Sequence, residues 1–273
     1  MSNERASRID INRTVAEAYA FMRGAVGPTI LGTLTYAMTS VATALIIKYQ
    51  LLGAASYSSA VCLYGFMALS WFSMALRRGT GQPEKGIFGM TFGMDEIRLG
   101  LSAGLAAIAL GLVAFFIGFA LFLISMSTVI LDSGLTGNDS EEALTAYLEA
   151  FTLTDAGIAA RLIVLSAASI ALGGFLYLLV RVLPFAPGSI AMRKITALQS
   201  VAWTKYQGRN LLAAFVGTFG VALLVAAALQ WGFSQLPGPS IIGMLGSHMV
   251  GCFAALIGVG FVSSAYTQLQ TNS

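Results

Sequence analysis

Residues 99–124 read LGLSAGLAAIALGLVAFFIGFALFLI, an unbroken run without Asp, Glu, Lys or Arg. A helix rising 1.5 Å per residue needs roughly 20 apolar residues to cross a hydrocarbon core about 30 Å thick, so this run predicts a transmembrane helix. Working outward, five further runs meet the same requirement: Ala25 to Ile47, Ala54 to Leu76, Leu162 to Val180, Leu211 to Phe233 and Ile241 to Val262. None of them carries an acidic residue, a lysine or an arginine. A backbone group left unpaired in lipid costs several kcal/mol, so each span must be helical and an open sheet is excluded. The expected fold is all-α, a polytopic transmembrane six-helix bundle forming a single integral membrane domain over residues 1–273, with amphipathic interfacial helices on the cytoplasmic side.

Composition agrees with a bilayer as the main solvent. Of the 273 residues 57% are hydrophobic and 10% charged, against about 25% charged in an average soluble domain, and the mean hydropathy is +0.80. The charges cluster between the apolar runs. With both ends in the cytoplasm, 13 of the 15 basic residues fall inside and only Lys48 and Arg161 outside, a strong positive-inside bias. Cytoplasmic N- and C-termini follow as the expectation. Cys62 and Cys252 lie within apolar runs, where thiols act as small hydrophobes, and the polar first 24 residues do not read as a removable signal peptide.

The connection after the third span carries Asp132, Asp139, Glu141, Glu142, Glu149 and Asp155 and reads as a solvated outer face. Within it, Asn138 to Ser140 can cap a short helix to about Ala150, and Thr154 or Asp155 can cap the fourth span. On the inner side, Val15, Ala18, Tyr19 and Met22 follow an i, i+3, i+4, i+7 stripe, predicting an interfacial helix over 11–24. A similar element is expected over 195–208, which aligns with the first through Ile11 and Ile195, Ala18 and Ala202, Tyr19 and Trp203, and Gly24 and Gly208. A third covers 94–98, giving a threefold plan of surface helix followed by hairpin.

Few residues invite chemistry. Gly100, Gly104, Gly111 and Gly118 form a smooth stripe suited to helix packing. His248, the single histidine, lies one turn from Cys252 on the sixth span; two such ligands can begin a metal site, but nothing in the spans completes it, so it reads as an interhelical polar site. The sequence holds no nucleophile elbow, metalloprotease helix or phosphate-binding loop, and the expectation is no enzyme, no cofactor and no metal. Asp95 and Glu96 suit a helix start and can pair with a nearby arginine. Arg181, Arg193, Lys194, Lys205 and Arg209 are expected to contact anionic lipid headgroups, each contributing about 1 kcal/mol near such a surface. Thr33, Thr35, Tyr36, Thr39 and Ser40 make the first span unusually polar, as interhelical hydrogen bonds or as a cavity wall.

Four short pieces carry a resemblance: 92–98 (FGMDEIR) before the third span, 181–186 (RVLPFA) after the fourth, 200–208 (SVAWTKYQG) before the fifth and 266–269 (YTQL) after the last. At these residues the chain resembles uncharacterised bacterial six-span membrane proteins related to the membrane domain of some glycerophosphodiester phosphodiesterases. In that group the phosphodiesterase chemistry resides in a separate soluble barrel with histidine and carboxylate metal ligands. This chain has one histidine and no room for a barrel, so the resemblance implies a stand-alone membrane module of the bacterial cytoplasmic (inner) membrane and no catalytic residue. The expected role is a non-enzymatic accessory, scaffold or envelope-homeostasis component whose partners are membrane lipids and other membrane proteins, with no nucleic acid. The alternative is a transporter or channel for a neutral or lipid-like small solute.

Overall fold

A computed structural model of the chain describes residues 9–49, 54–83, 85–133, 158–234 and 241–271. Among these residues there are eight helices and no strand: α1 (Ile11–Tyr49), α2 (Ala54–Gly79), α3 (Met94–Ser133), α4 (Ile158–Val182), α5 (Phe185–Met192), α6 (Gln199–Trp203), α7 (Gly208–Ser234) and α8 (Ile241–Thr271). Six of them, α1, α2, α3, α4, α7 and α8, are long and apolar enough to cross a membrane, which makes this a multi-pass membrane protein. The acidic outer connection, with its expected short helix over 138–150 and the cap at Thr154 or Asp155, lies outside the described residues.

The chain divides into two compact units, one of Met1–Ala106 with Val180–Ser273 and one of Ala107–Leu179. The first holds the packed core. There α1 packs most extensively on α8, and the two also contact α2 and α7, while α5 rests on α2 and α8. Trp71, Met74, Leu256 and Phe261 are fully enclosed. Lipid tails are as apolar as leucine, so helices in a bilayer hold together through close van der Waals packing rather than by escaping water. Small residues make that packing possible: a Cβ at Gly260 would lie 2.8 Å from the Ala18 carbonyl oxygen, so α8 meets α1 backbone to backbone. The second unit holds residues 107–133 of α3 and 158–179 of α4, whose exposed Phe115, Phe116, Leu165 and Ile170 suit a lipid-facing surface.

The helices run past the apolar stretches that announce them, and this alters the expected surface helices. The segment 11–24 is not a separate element: α1 is continuous through Gly24 and contains Pro28. Both residues are tolerated in a membrane helix, where neighbouring groups re-satisfy the backbone; the Thr29 hydroxyl, for one, donates to the Ala25 carbonyl at 2.7 Å. The segment 94–98 is likewise the first turn of α3. The segment 195–208 departs furthest, since it is not one helix: α6 covers only Gln199–Trp203. Its hydroxyl side chains compete with helical bonding. Thr196 Oγ1 donates to the Phe185 carbonyl at 2.9 Å, and Thr204 Oγ1 donates to the Arg181 carbonyl at 3.1 Å. These bonds tie the segment to α5 and α4 and halt it at both ends. The threefold plan of surface helix and hairpin is therefore not what the chain adopts.

Candidate functional site

The polar chemistry of the first unit gathers at one end of the bundle, where α1, α3 and α7 begin and α2 and α8 finish. Its centre is Arg77, 3% exposed, against Glu96, 1% exposed. Arg77 Nη2 lies 2.8 Å from Glu96 Oε1 and 3.1 Å from Asp95 Oδ2, and the Ser73 hydroxyl donates to Glu96 Oε1 at 2.6 Å. Arg98 takes the other oxygen of Asp95 at 3.3 Å. Two cations thus face two carboxylates, and the cluster is neutral as a whole. Glu96 also supplies one half of a capping box, Gly93 having no side chain to return the bond. Its second oxygen accepts from the Gly93 backbone N–H at 2.8 Å, three residues earlier, satisfying a donor that the start of α3 would otherwise leave open. Glu96 therefore caps α3 and pairs with Arg77 at once, while Asp95 bridges Arg77 and Arg98.

A second set of bonds fastens α1 to α7 and α8. Gln207 Oε1 accepts from the Ile9 backbone N–H at 3.1 Å. Gln268 Oε1 accepts from Asp10 N–H at 2.9 Å, while its Nε2 donates to the Thr14 hydroxyl at 3.0 Å. The Ser264 hydroxyl donates to Glu17 at 2.6 Å, and the Tyr19 hydroxyl donates to the Thr218 carbonyl at 2.7 Å. Glu17 also takes the Arg13 guanidinium at 2.6 Å, one turn away on α1. A third set joins α3 to α5, where Ser189 Oγ donates to Ser102 Oγ at 2.9 Å and contacts Thr196 Oγ1 at 2.8 Å.

Arg181, one of the five expected lipid contacts, is half-buried, and its Nη2 donates to the Val201 carbonyl at 2.8 Å, which ties it to this internal framework. Arg193, Lys194, Lys205 and Arg209 are exposed. Large apolar side chains stand exposed among them, Leu198 at 68% and Tyr206 at 81%, and the Lys205 ammonium sits 5.4 Å from the centre of the Tyr206 ring. Arg193 is held in a left-handed conformation, φ +52°, where it ends α5.

The polar strip of α1 sorts itself by face. Thr29, Thr33, Ser40 and Thr43 are buried, and with Tyr36 they form an i, i+4, i+7, i+11, i+14 stripe turned toward the core. Thr33 accepts from the Trp71 indole N–H at 3.0 Å, and the Tyr36 and Tyr64 hydroxyls bond at 3.0 Å. Thr35 and Thr39 instead bond carbonyls of their own helix. In the glycine stripe, a Cβ at Gly100 would touch Leu69 at 3.2 Å, whereas Gly104, Gly111 and Gly118 have no described atom within 4 Å. His248 is half-buried on α8 with Cys252 buried one turn away; among the described residues no group of three His, Cys, Asp or Glu is placed to hold a metal.

Arg77, Gln207 and Gln268 escaped a reading of the sequence as individual functional positions. A signal was available for the two glutamines: they stand within the short 200–208 and 266–269 pieces, as Glu96 and Arg181 stand within 92–98 and 181–186. Each of the four pieces contributes a buried or half-buried polar side chain that pins this end of the bundle. Compared with known proteins, the chain matches no family model, no curated protein and no solved structure.

Proposed function

We propose that this chain is a non-enzymatic, multi-pass protein of the bacterial cytoplasmic membrane, acting as an accessory, scaffold or envelope-homeostasis component, with both ends and the polar end of its bundle in the cytoplasm. The observation that carries this reading is the use of the ionisable groups around the buried Arg77 and Glu96: with the half-buried Asp95 and Arg98 they pair with one another, join α3 to α2 and, through Glu96, cap α3. That is the chemistry of a rigid platform. The 13-to-2 distribution of basic residues favours the cytoplasmic orientation. Arg193, Lys194, Lys205 and Arg209, interleaved with exposed Leu198 and Tyr206, favour this end lying in the headgroup layer against anionic lipid. The kinship suggested by the short interfacial pieces, to the membrane modules of some glycerophosphodiester phosphodiesterases, fits the same role.

Native mass spectrometry of the protein released from its own membrane under mild conditions tests the proposal. A protein partner bound in fixed stoichiometry is the expected result. The second reading, a transporter or channel for a neutral or lipid-like solute, draws on the buried hydroxyl stripe of α1. Solute flux through proteoliposomes that Tyr36→Phe and Ser40→Ala abolish, with no partner retained, would replace the platform by the transporter.

A further inference from the structure

Along the surface of the first unit, between α1 and α7 and floored by α8, runs an apolar groove of about 240 Å³. It begins at Tyr19 and Met22, passes Ala222, Ala226 and Phe253 and reaches Leu229. From Val221 to Leu229 the wall advances by about 12 Å of helix. The groove has a local cause. The helices α1 and α7 meet where Val15 packs on Gly217 and are pinned there by the Tyr19 hydroxyl on the Thr218 carbonyl. Beyond that pin α7 lines the slot with Ala222 and Ala226 set among Val221, Val225 and Leu229, and Ala254 of α8 lies below them, so the short alanine side chains leave the slot open.

Size decides what can occupy it. A helix with its side chains is roughly 10–12 Å across, too broad for such a slot, and the volume falls below the roughly 300–1,000 Å³ of a pocket for a drug-sized molecule. One alkyl chain fits. The groove lies beside apolar stretches of α7 and α8 that belong to the hydrocarbon, where an open apolar recess is filled by lipid. At its Tyr19 end stands Arg23, exposed, one turn beyond Tyr19 on the same face of α1 and the last charged residue before the uncharged run to Ile47. A guanidinium on a flexible stem at that level can reach the headgroup layer and pair with a phosphate.

We propose that this groove is a binding site for one acyl chain of a membrane phospholipid whose phosphate is held by Arg23. The site is separate from the exposed basic surface around Lys205 and does not rest on the platform reading. The test is titration of phosphatidylglycerol into the delipidated full-length protein in detergent, with bound lipid counted by native mass spectrometry. Wild type is expected to retain one phosphatidylglycerol at concentrations where Ala226→Phe, which fills the slot, binds at least about ten-fold more weakly. Arg23→Gln is expected to weaken binding several-fold, and Lys205→Gln with Arg209→Gln to leave this lipid in place. Ala222→Leu serves as a second filler should Ala226→Phe lose its helix content or its monodisperse elution. Equal retention by wild type and a folded filler variant would overturn the proposal. So would loss of the lipid in the Lys205/Arg209 variant alone, or a co-purifying protein that the filler displaces.

Discussion

Glu96 accepts from a serine, an arginine and a backbone amide while almost wholly buried, so its neutralisation leaves the buried Arg77 with the partly exposed Asp95 as its one remaining described counter-charge. Breaking such a pair from one side costs about 3–5 kcal/mol, whereas replacing both partners by apolar groups of similar volume is often close to neutral. Glu96→Gln is therefore expected to lower the melting temperature of the purified protein sharply, and the double change Arg77→Met with Glu96→Met to recover most of that loss apart from the capping bond at Gly93. A double variant as unstable as the single one would mean that the cap, worth about 1 kcal/mol in ordinary cases, matters more here than the charges.

At the level of the helix, the glycines separate into those that admit a neighbour and those that meet none. Gly260→Ala would force a Cβ against the Ala18 backbone at 2.8–2.9 Å, and overpacking of this kind costs about 1–3 kcal/mol. Gly111→Ala and Gly118→Ala meet no described atom within 4 Å and add helix propensity, so they are expected to be neutral or to stabilise by up to roughly 1 kcal/mol; unfolding in mixed micelles distinguishes the two classes. The spacing of Gly100, Gly104, Gly111 and Gly118 was plain in the sequence, but whether a second helix lies against them is a tertiary fact. Span existence was legible for a related reason: twenty apolar residues act additively and locally. Span ends were not, because Gln268 and Ser264 hold the start of α1 through contacts more than two hundred residues away in sequence. Helix α5 carries no sequence signal of its own, since Pro187 and Gly188 disfavour a helix interior; a proline in a first turn is nonetheless tolerated, and Gly188 is where the Trp203 ring packs, 2.9 Å from where a Cβ would stand. The periodicity of 195–208 likewise could not foretell that Thr196 and Thr204 would bond backbone carbonyls of other segments.

For the molecule as a whole, the proposed orientation and the basic surface make linked predictions. If the end that carries Arg193, Lys194, Lys205 and Arg209 faces the cytoplasm, then a cysteine placed by Arg193→Cys or Lys85→Cys, in a background freed of Cys62 and Cys252, should resist a membrane-impermeant maleimide in intact cells and react after lysis, while one placed by Lys48→Cys should react in both. Labelling of Lys85→Cys from outside would invert the topology and remove the cytoplasmic reading together with the platform built on it. The orientation matters energetically because anionic lipids attract juxtamembrane cations by about 1 kcal/mol each. Four exposed cations can therefore bias that end toward the headgroups by up to roughly 4 kcal/mol at low salt, and screening over a Debye length of about 8 Å at physiological ionic strength reduces this. Changing all four to Gln should weaken co-sedimentation of anionic vesicles with the protein in nanodiscs of neutral lipid, most clearly at low salt. The span hydropathy that drives insertion is untouched by these changes, as are the Arg77–Glu96 pair and the Gln268 contacts, so insertion and melting temperature should hold. If melting and vesicle binding fell together, the four side chains would be structural members of the bundle end, as Arg181 is, and the lipid-facing role would have to move to other residues.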